Sequence, residues 1–315
     1  MPGVSALAID VGGSHVTCAV VRGESIIARE ILGADGRGTL QGLLPSIGDA
    51  LCRLLRTCAL KSADCAGIVM GFCGIVNPHQ KRVLATNDKF SDARDLDLND
   101  WFTSKFSIPF FLENDARLAL LGEHESGAAR GVEDAVMLTL GSGIGASAML
   151  NGRLLQSRNG IAGMIGGHLP VVLDGSLCTC GNRGCAESEA ATVFLPQIWR
   201  RYAEGRLTGV DAESGLGFSE LFAFADRGDQ TAIAVLEHCR RVWSVLTVAL
   251  IHAYDPEVVV FGGSVMKRAA DILPSLQEYV GAHAWTPGRT VPLRASVLGS
   301  DAALLGAIPL IESIL

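Results

Sequence analysis

The sequence predicts an α/β fold built from two domains. Its 315 residues are enough for two domains of ordinary size, each with its own core. Hydrophobic residues make up 49% of the chain, aromatic residues only 6%, and 37 glycines are spread along it, which fits strands and helices joined by tight loops. A pattern of strand, glycine-rich turn and strand occurs at residues 6–21 and again at 135–150, which suggests a duplicated element.

The first half of the chain reads as a hairpin followed by strands and helices. Leu44, Ile47 and Leu51 recur at helical spacing and predict the first helix, whereas short apolar runs predict buried strands. The predicted elements are a hairpin over 6–21, a strand over 24–32, a helix over 42–57, strands over 66–72 and 108–112, and a helix over 116–126.

The turn of the first hairpin carries Asp10, Gly12 and Gly13. The two glycines allow backbone N–H groups to approach an anion, and the Asp10 carboxylate can hold a hydrated metal ion beside it. A plain hairpin turn explains the same residues as well.

Two of the buried strands run into loops that are candidates for chemistry. One strand leads to Gly74, and the next leads to Asn114 and Asp115. Ligands of open α/β sheets gather beyond the carboxyl ends of the strands, so these loops lie where a site is expected. The alternative is that Asn114 or Asp115 only caps the helix that follows.

The second half begins with another glycine-rich turn between two strands and then becomes largely helical. The turn Gly141-Ser142-Gly143-Ile144-Gly145, together with the first turn and an acidic loop between them, suggests a nucleotide held between two domains. Gly262 and Gly263 follow a later strand, where a simple turn is the alternative. The predicted elements are strands over 135–140, 146–150, 258–261 and 293–298, helices over 191–202, 218–226 and 230–253, and a terminal helix over 302–315.

One short segment supplies four metal ligands. His168, Cys178, Cys180 and Cys185 offer one imidazole and three thiolates, and zinc binds a closed set of this kind tetrahedrally for a structural purpose. The alternative is a reduced, partly buried thiol cluster. If one nitrogen of His168 binds zinc, the other can donate to a hydroxyl and Glu187 can accept from one, which suggests a polyol site.

The charge and the remaining cysteines exclude several classes of protein. A net charge of -7 argues against nucleic acid or an anionic membrane as the main partner. No apolar run reaches the length of a membrane span, so we expect a soluble protein. The six other cysteines have no framework spacing, and no secretory signal opens the chain, so we expect a reducing cytoplasm.

Taken together and in order, these motifs resemble the ROK family of bacterial sugar kinases, within the actin-like ATPase superfamily. The resemblance runs nearly end to end. It rests on Asp10-Val-Gly12-Gly13-Ser14, Glu113-Asn114-Asp115-Ala116, Gly141-Ser142-Gly143-Ile144-Gly145, the zinc signature from His168 to Glu187, and Gly262-Gly263.

The resemblance implies two actin-like (ribonuclease H-like) domains with a cleft between them and a zinc-bound loop over 168–187. It implies a small domain over 1–115, joined by the terminal helix over 302–315, and a large domain over 116–301. It further implies a cytoplasmic homodimer that uses ATP, Mg²⁺ and structural Zn²⁺ to phosphorylate the 6-hydroxyl of a free hexose, most simply glucose.

The resemblance also implies roles for individual residues. Asp115 would be the general base, and His168 would touch both zinc and sugar. The implied sugar-binding residues are Gly74, Asn114, Asp115, His168 and Glu187. The implied nucleotide-binding residues are Asp10, Gly12, Gly13, Ser14, His15, Gly141, Ser142, Gly143, Gly262 and Gly263.

Four departures from the family pattern bear on the substrate. The usual segment Ala-Gly-Glu-x-Gly-His is one residue longer in this chain and lacks the glutamate, so Met164 or Ile165 is expected to make that corner of the sugar site apolar. His15 stands where lysine is common, Cys73 where proline is common, and Arg117 where asparagine is common. A kinase for allose, fructose or N-acetylmannosamine therefore stays open, as does a non-catalytic sugar-binding or regulatory protein.

Overall fold

The computed structural model describes residues 3–13, 15–34, 38–86, 89–203 and 215–314. The chain divides into two compact units. The first comprises Met1–Glu133, Asn151–Met164 and Val297–Leu315, and the second comprises Asp134–Leu150 and Ile165–Ser296.

A mixed five-stranded sheet forms the centre of the first unit. Its strands are β1 (Ser5–Val11), β2 (His15–Arg22), β3 (Ser25–Gly33), β4 (Cys65–Phe72) and β7 (Phe110–Asn114), in the order β3-β2-β1-β4-β7. The pairs β1–β2 and β2–β3 are antiparallel, whereas β1–β4 and β4–β7 are parallel. The parallel register places Asp10 beside Gly71 and Gly71 beside Glu113, so the carboxyl ends of three strands meet at one edge of the sheet.

The other elements of the first unit are helices and short strands outside this sheet. They are α1 (Leu40–Thr57), a hairpin of β5 (Ile75–Asn77) and β6 (Arg82–Ala85), α2 (Leu98–Phe106), α3 (Asp115–Ser126), β10 (Arg153–Leu154), α9 (Ala302–Leu305) and α10 (Ala307–Ile314). Leu44, Ile47 and Leu51 of α1 are buried in the core, as their helical spacing predicts. The side chain of Thr39 caps this helix by accepting from the amide of Gly42.

Helix α3 explains why the first unit extends past the predicted boundary. That boundary, after residue 115, falls between β7 and α3. The structure keeps α3 in the first unit because the helix packs closely on the C-terminal helices: a Cβ at Gly122 would collide with the carbonyl oxygen of Ala302, and a Cβ at Gly306 with that of Leu118. Glycine permits this approach.

The second unit has its own mixed sheet. Strands β8 (Ala135–Leu140), β9 (Ile144–Leu150), β11 (Val258–Gly262) and β12 (Leu293–Ala295) lie in the order β9-β8-β11-β12. The β8–β9 pair is antiparallel, whereas β8–β11 and β11–β12 are parallel, which repeats the hairpin and parallel strands of the first unit. The helices are α4 (Ala186–Ala190), α5 (Leu195–Ala203), α6 (Phe218–Asp226), α7 (Gln230–Tyr254) and α8 (Ala269–His283).

The predicted α/β class is confirmed, with local differences. The helix predicted over 191–202 is a 3-10 turn over Thr192–Phe194 followed by α5 from Leu195, and the strand predicted over 293–298 ends at Ala295. Sequence reasoning missed the β5–β6 hairpin because its strands are too short for periodicity, and it missed α2 and α8. None of the helices within the described residues is long and apolar enough to cross a membrane.

Candidate active site

Two carboxylates flank Gly71 at the carboxyl edge of the first sheet. A Cβ built on Gly71 would lie 3.6 Å from Oδ1 of Asp10 and 3.6 Å from Cα of Asp115. The same Cβ would lie 3.0 Å from Cδ1 of Leu118, so this position is closely packed and favours glycine. Strands β1, β4 and β7 thus bring together residues that are far apart in sequence, as the carboxyl-end rule predicts.

Asn114 both caps helix α3 and orients Asp115. Its Oδ1 accepts from the backbone amides of Ala116 and Arg117, at 3.1 and 3.3 Å. Its Nδ2 donates to Oδ1 of Asp115 at 3.0 Å and to the carbonyl oxygen of Gly74 at 3.2 Å. The capping interpretation therefore holds for Asn114, and the same amide fixes the Asp115 carboxylate.

The environment of the two acids favours their neutral forms. Burial, and then the nearby charge of Asp10, raises the pKa of Asp115 to about 7. Burial raises the pKa of Asp10 to about 6. Burial followed by the charges of Asp115 and Asp10 also raises the pKa of the Cys73 thiol to about 12, which keeps this thiol protonated and unreactive beside them. A carboxyl whose pKa lies near neutrality suits a general base.

The first glycine turn receives a cation that sequence reasoning did not predict. Gly12 donates its amide to the carbonyl oxygen of His15 at 3.1 Å, which closes the turn. The ammonium of Lys89 donates to the carbonyl oxygen of Gly13 at 2.9 Å. A positive charge therefore lies at this turn although position 15 carries histidine. The Ser14 prediction lies outside the described residues.

The second glycine turn is tight and packs against Glu187. Gly141 donates its amide to the carbonyl oxygen of Gly143 at 3.0 Å. Oε2 of Glu187 accepts from the amide of Ile144 at 3.1 Å, and a Cβ on Gly143 would lie only 2.6 Å from that oxygen. A side chain at 143 would therefore displace this carboxylate oxygen, and the other Glu187 oxygen, Oε1, lies 3.9 Å from Nδ1 of His168.

The glycines after β11 meet the same turn region. Gly263 has a φ of +89°, and a Cβ at this position would collide with the backbone of Leu140. A Cβ on Gly141 would lie 3.7 Å from the hydroxyl oxygen of Ser264. The carboxyl ends of β8 and β11 therefore bring Gly141, Ser142, Gly143, Gly262 and Gly263 to one edge of the second sheet.

The four predicted zinc ligands lie together. The ligand atoms of His168, Cys178, Cys180 and Cys185 are all within 4.8 Å of one another. A tetrahedral zinc ion implies edges of about 3.8 Å between two sulfurs and about 3.6 Å between sulfur and nitrogen. The distance from Cys180 Sγ to Cys185 Sγ is 3.7 Å, and that from Cys178 Sγ to His168 Nδ1 is 3.5 Å. The donor set and its spacing fit zinc.

Glu189 connects the zinc-ligand loop to helices α5 and α7 through Arg201 and His238. Its carboxylate is buried and accepts from the amide of Ser176 at 2.5 Å and from Arg201 at 2.9 Å. Burial alone would raise its pKa, but hydrogen bonds from His238, the Ser176 amide and Arg201 lower the pKa of Glu189 to about 2. This acid therefore stays ionised and serves as an anchor.

The two residues expected to line an apolar corner of the sugar site behave differently. Met164 is 6% exposed and belongs to the hydrophobic core of the first unit. Ile165 is 38% exposed. The expectation is therefore wrong for Met164, because its side chain is used in packing, and it stays a prediction for Ile165.

Two mixed sheets, each beginning with a strand, a glycine turn and a second strand, make this an α/β protein of duplicated architecture, with two acids at the carboxyl edge of the first sheet. The chain belongs to the ROK family, whose model matches residues 6–314.

Individual relatives agree with this assignment. The chain is 30% identical over 309 residues to a glucokinase of Halalkalibacterium halodurans, covering 95% of this chain and 92% of that protein. It is 29% identical over 325 residues to a glucokinase of Thermotoga maritima, covering 99% and 98%. The crystal structure of a ROK family glucokinase from Streptomyces griseus, in complex with glucose and AMPPNP, has a TM-score of 0.82 and 25% identity, covering 98% of this chain and 99% of that one.

Proposed function

We propose that this protein is an ATP-dependent hexose kinase of the glucokinase type. The observation that carries the proposal is Asp115, held by Asn114 at the carboxyl edge of a sheet with a pKa raised to about 7 by burial and by Asp10. The glucokinase relatives and the glucose complex of the Streptomyces griseus protein favour glucose as the substrate.

In the proposed reaction Asp115 accepts the proton of the sugar's 6-hydroxyl. The hydroxyl oxygen forms a bond to the γ-phosphorus while the bond from that phosphorus to the β,γ-bridging oxygen breaks, which releases ADP. Proton removal by Asp115 is only one contribution to the rate, because orienting the hydroxyl toward the γ-phosphorus supplies much of the acceleration. Asn114 contributes by fixing the carboxylate that receives the proton.

Asp10 fits the role of a magnesium ligand. It is a half-buried carboxylate beside a glycine turn, and Mg²⁺ prefers such hard oxygen ligands together with phosphate oxygens and water. A bound Mg²⁺ would neutralise charge on the phosphates, and it would also lower the pKa of both neighbouring acids.

The phosphates are proposed to bind at the two glycine turns. The backbone amides of Gly12 and Gly13 would bind phosphate oxygens at the first turn, with Ser14 and His15 beside them. The backbone amides of Gly141, Ser142 and Gly143 would bind phosphate oxygens at the second turn, with Gly262 and Gly263 near the nucleotide. Lys89 supplies the cation in our proposal, since its ammonium already lies 2.9 Å from the carbonyl oxygen of Gly13.

The sugar hydroxyls are proposed to bind Asn114, Gly74, His168 and Glu187. Zinc would hold the loop that carries the last two, with Nδ1 of His168 toward the metal and Nε2 toward a hydroxyl. A cytoplasmic homodimer, as the family resemblance implies, stays a prediction.

A different sugar is the second candidate. Within residues 162–168 no carboxylate replaces the glutamate that the family commonly uses, and Met164 is committed to the core. A glucose kinase with one acceptor fewer should bind glucose weakly, so allose, fructose or N-acetylmannosamine could be the better substrate. A non-catalytic sugar-binding protein is the third candidate.

A coupled assay of ADP release across a panel of hexoses tests the proposal. We expect one sugar, glucose first, to give the highest kcat/KM with MgATP. Highest activity with another hexose would support the proposed kinase activity and would replace glucose as the proposed substrate. Sugar binding measured by calorimetry without any turnover would favour the non-catalytic alternative.

A further inference from the structure

Arg117 is a fully buried arginine in the first turn of helix α3, two residues after Asp115. Its guanidinium forms an ion pair with Glu113 at 3.2 Å, and neither side chain is exposed to solvent. It also donates to the carbonyl oxygens of Gly160, at 2.8 Å, of Leu155, at 2.8 Å, and of Ala162. One side chain thus joins the start of the helix to three points of the segment 155–162.

The carboxylate of Glu113 continues this network to the proposed base. Its Oε1 accepts from the backbone amide of Asn114 at 2.8 Å, and its Oε2 accepts from Gln156 at 3.2 Å. Asn114 in turn donates to Asp115. The guanidinium of Arg117 is thus linked through Glu113 and Asn114 to the carboxylate of Asp115.

The segment is also packed from its other side. Gly160 has a φ of +83°, and a Cβ there would lie 3.1 Å from Cα of Asn77 and 3.3 Å from the carbonyl oxygen of Val76, both in β5. Two residues after the segment, Met164 is buried in the core, directly before the residues that lead to His168. The segment 155–162 is therefore held by the hydrogen bonds of Arg117 and by the packing of Gly160 against β5.

The arrangement is costly for a purely structural role. Within the described residues, Nε of Arg117 is buried and has no hydrogen-bond partner. A buried ion pair rarely stabilises a fold more than well-packed apolar side chains would, and an unsatisfied polar atom adds to its cost. Local rules are broken in this way mainly where function requires a fixed geometry.

We infer that Arg117 is a positioning residue that fixes segment 155–162 against the catalytic loop and so sets the geometry of Asp115 and of the sugar site. The inference rests on the proposed kinase function and adds a residue to it. Asparagine, which the family pattern often has at this position, is too short to reach the same three carbonyl oxygens.

The test uses two variants and a control. Arg117→Lys can keep the charge opposite Glu113 but cannot reach all three carbonyl oxygens, because it has one nitrogen. We expect it to fold, to raise the sugar KM and lower kcat by about tenfold each, and to leave the MgATP KM within about twofold. The exposed Arg158 of the same segment is the control, and Arg158→Lys should match the wild type.

The double variant Arg117→Met with Glu113→Gln separates positioning from stability. It removes the buried charges together, so we expect its melting temperature to recover relative to Arg117→Met alone while kcat does not. If activity recovers with stability, or if Arg117→Lys has wild-type kinetics, Arg117 is only structural and the inference is wrong. Should the lysine variant fail to fold, the double variant decides.

Hydrogen exchange provides a readout that does not need turnover. Amides of residues 151–164 should exchange at least about tenfold faster in Arg117→Lys than in the wild type, with the rest of the chain unchanged. Unchanged protection of that segment would overturn the inference. A wild type that phosphorylates no sugar would instead refute the proposed function, and the exchange comparison would still decide whether Arg117 holds the segment.

Discussion

Replacing Asp115 by asparagine should change how the protein's stability depends on pH. The unfolded carboxyl has the ordinary pKa of 3.8, whereas burial and the charge of Asp10 raise the folded value to about 7. The folded state therefore binds more protons than the unfolded state between these values, and the unfolding free energy contributed by Asp115 falls as pH rises. Asparagine cannot titrate, so the difference between wild type and variant isolates this contribution.

The size of the effect follows from the shift. One pKa unit corresponds to about 1.4 kcal/mol, so the two pH units from 5 to 7 carry up to about 2.7 kcal/mol, with little change above pH 7. The Asp115 side chain is partly exposed, which reduces the effect, and we expect about 1.5 kcal/mol.

Denaturant unfolding of both proteins at several pH values between 5 and 8, in the absence of nucleotide and Mg²⁺, measures this difference. Relative to the wild type, Asp115→Asn should gain about 1.5 kcal/mol between pH 5 and pH 7. A difference that is constant across this range, within about 0.5 kcal/mol, would refute the reasoning that burial and Asp10 raise the Asp115 pKa.

Three further predictions test the other parts of the site. The protein should contain about one zinc per chain, and chelation or Cys180→Ser should lower both its melting temperature and its sugar affinity. Cys52→Ser, in helix α1, is the control and should change neither. Protein without zinc and with freely alkylated ligand cysteines would contradict this prediction. Ile165→Glu should fold and should lower the glucose KM about tenfold by restoring a hydrogen-bond acceptor. Met164→Glu should instead destabilise the core, because it buries a charged group. Equal stability of the two variants would contradict the finding that Met164 is buried and Ile165 is exposed. Lys89→Met should raise the MgATP KM or lower kcat by about tenfold or more, with Lys81→Met as the matched control, and wild-type kinetics of the Lys89 variant would remove this residue from the phosphate site.

Much of the site can be predicted from sequence because its residues follow strands. The apolar run before Asn114 predicts strand β7, and the polar residues after it must then lie at the sheet edge. The zinc ligands are predicted by their short spacing, and their atoms do lie within 4.8 Å of one another. In these cases the residues that form the recognisable sequence pattern are also the residues that form the site.

The residues that sequence reasoning missed depend on contacts between distant segments. Lys89 approaches Gly13 across 76 positions, and Arg117 reaches Ala162 across 45. Neither pairing has a periodicity or a motif that could indicate it. The boundary after residue 115 differs from the compact units for the same reason, since helix α3 belongs to the first unit through the packing of Gly122 against Ala302 and of Gly306 against Leu118.

Turnover by Asp115→Asn compared with the wild type tests the central claim most directly. ADP release with MgATP and the best hexose of the panel would be measured for both proteins, alongside sugar binding by calorimetry. We expect kcat to fall at least about a hundredfold while sugar affinity stays within about tenfold, because the amide keeps the shape of the carboxylate but cannot accept the proton. An Asp115→Asn protein that retains more than about a tenth of the wild-type kcat would contradict the assignment of Asp115 as the general base of a sugar kinase.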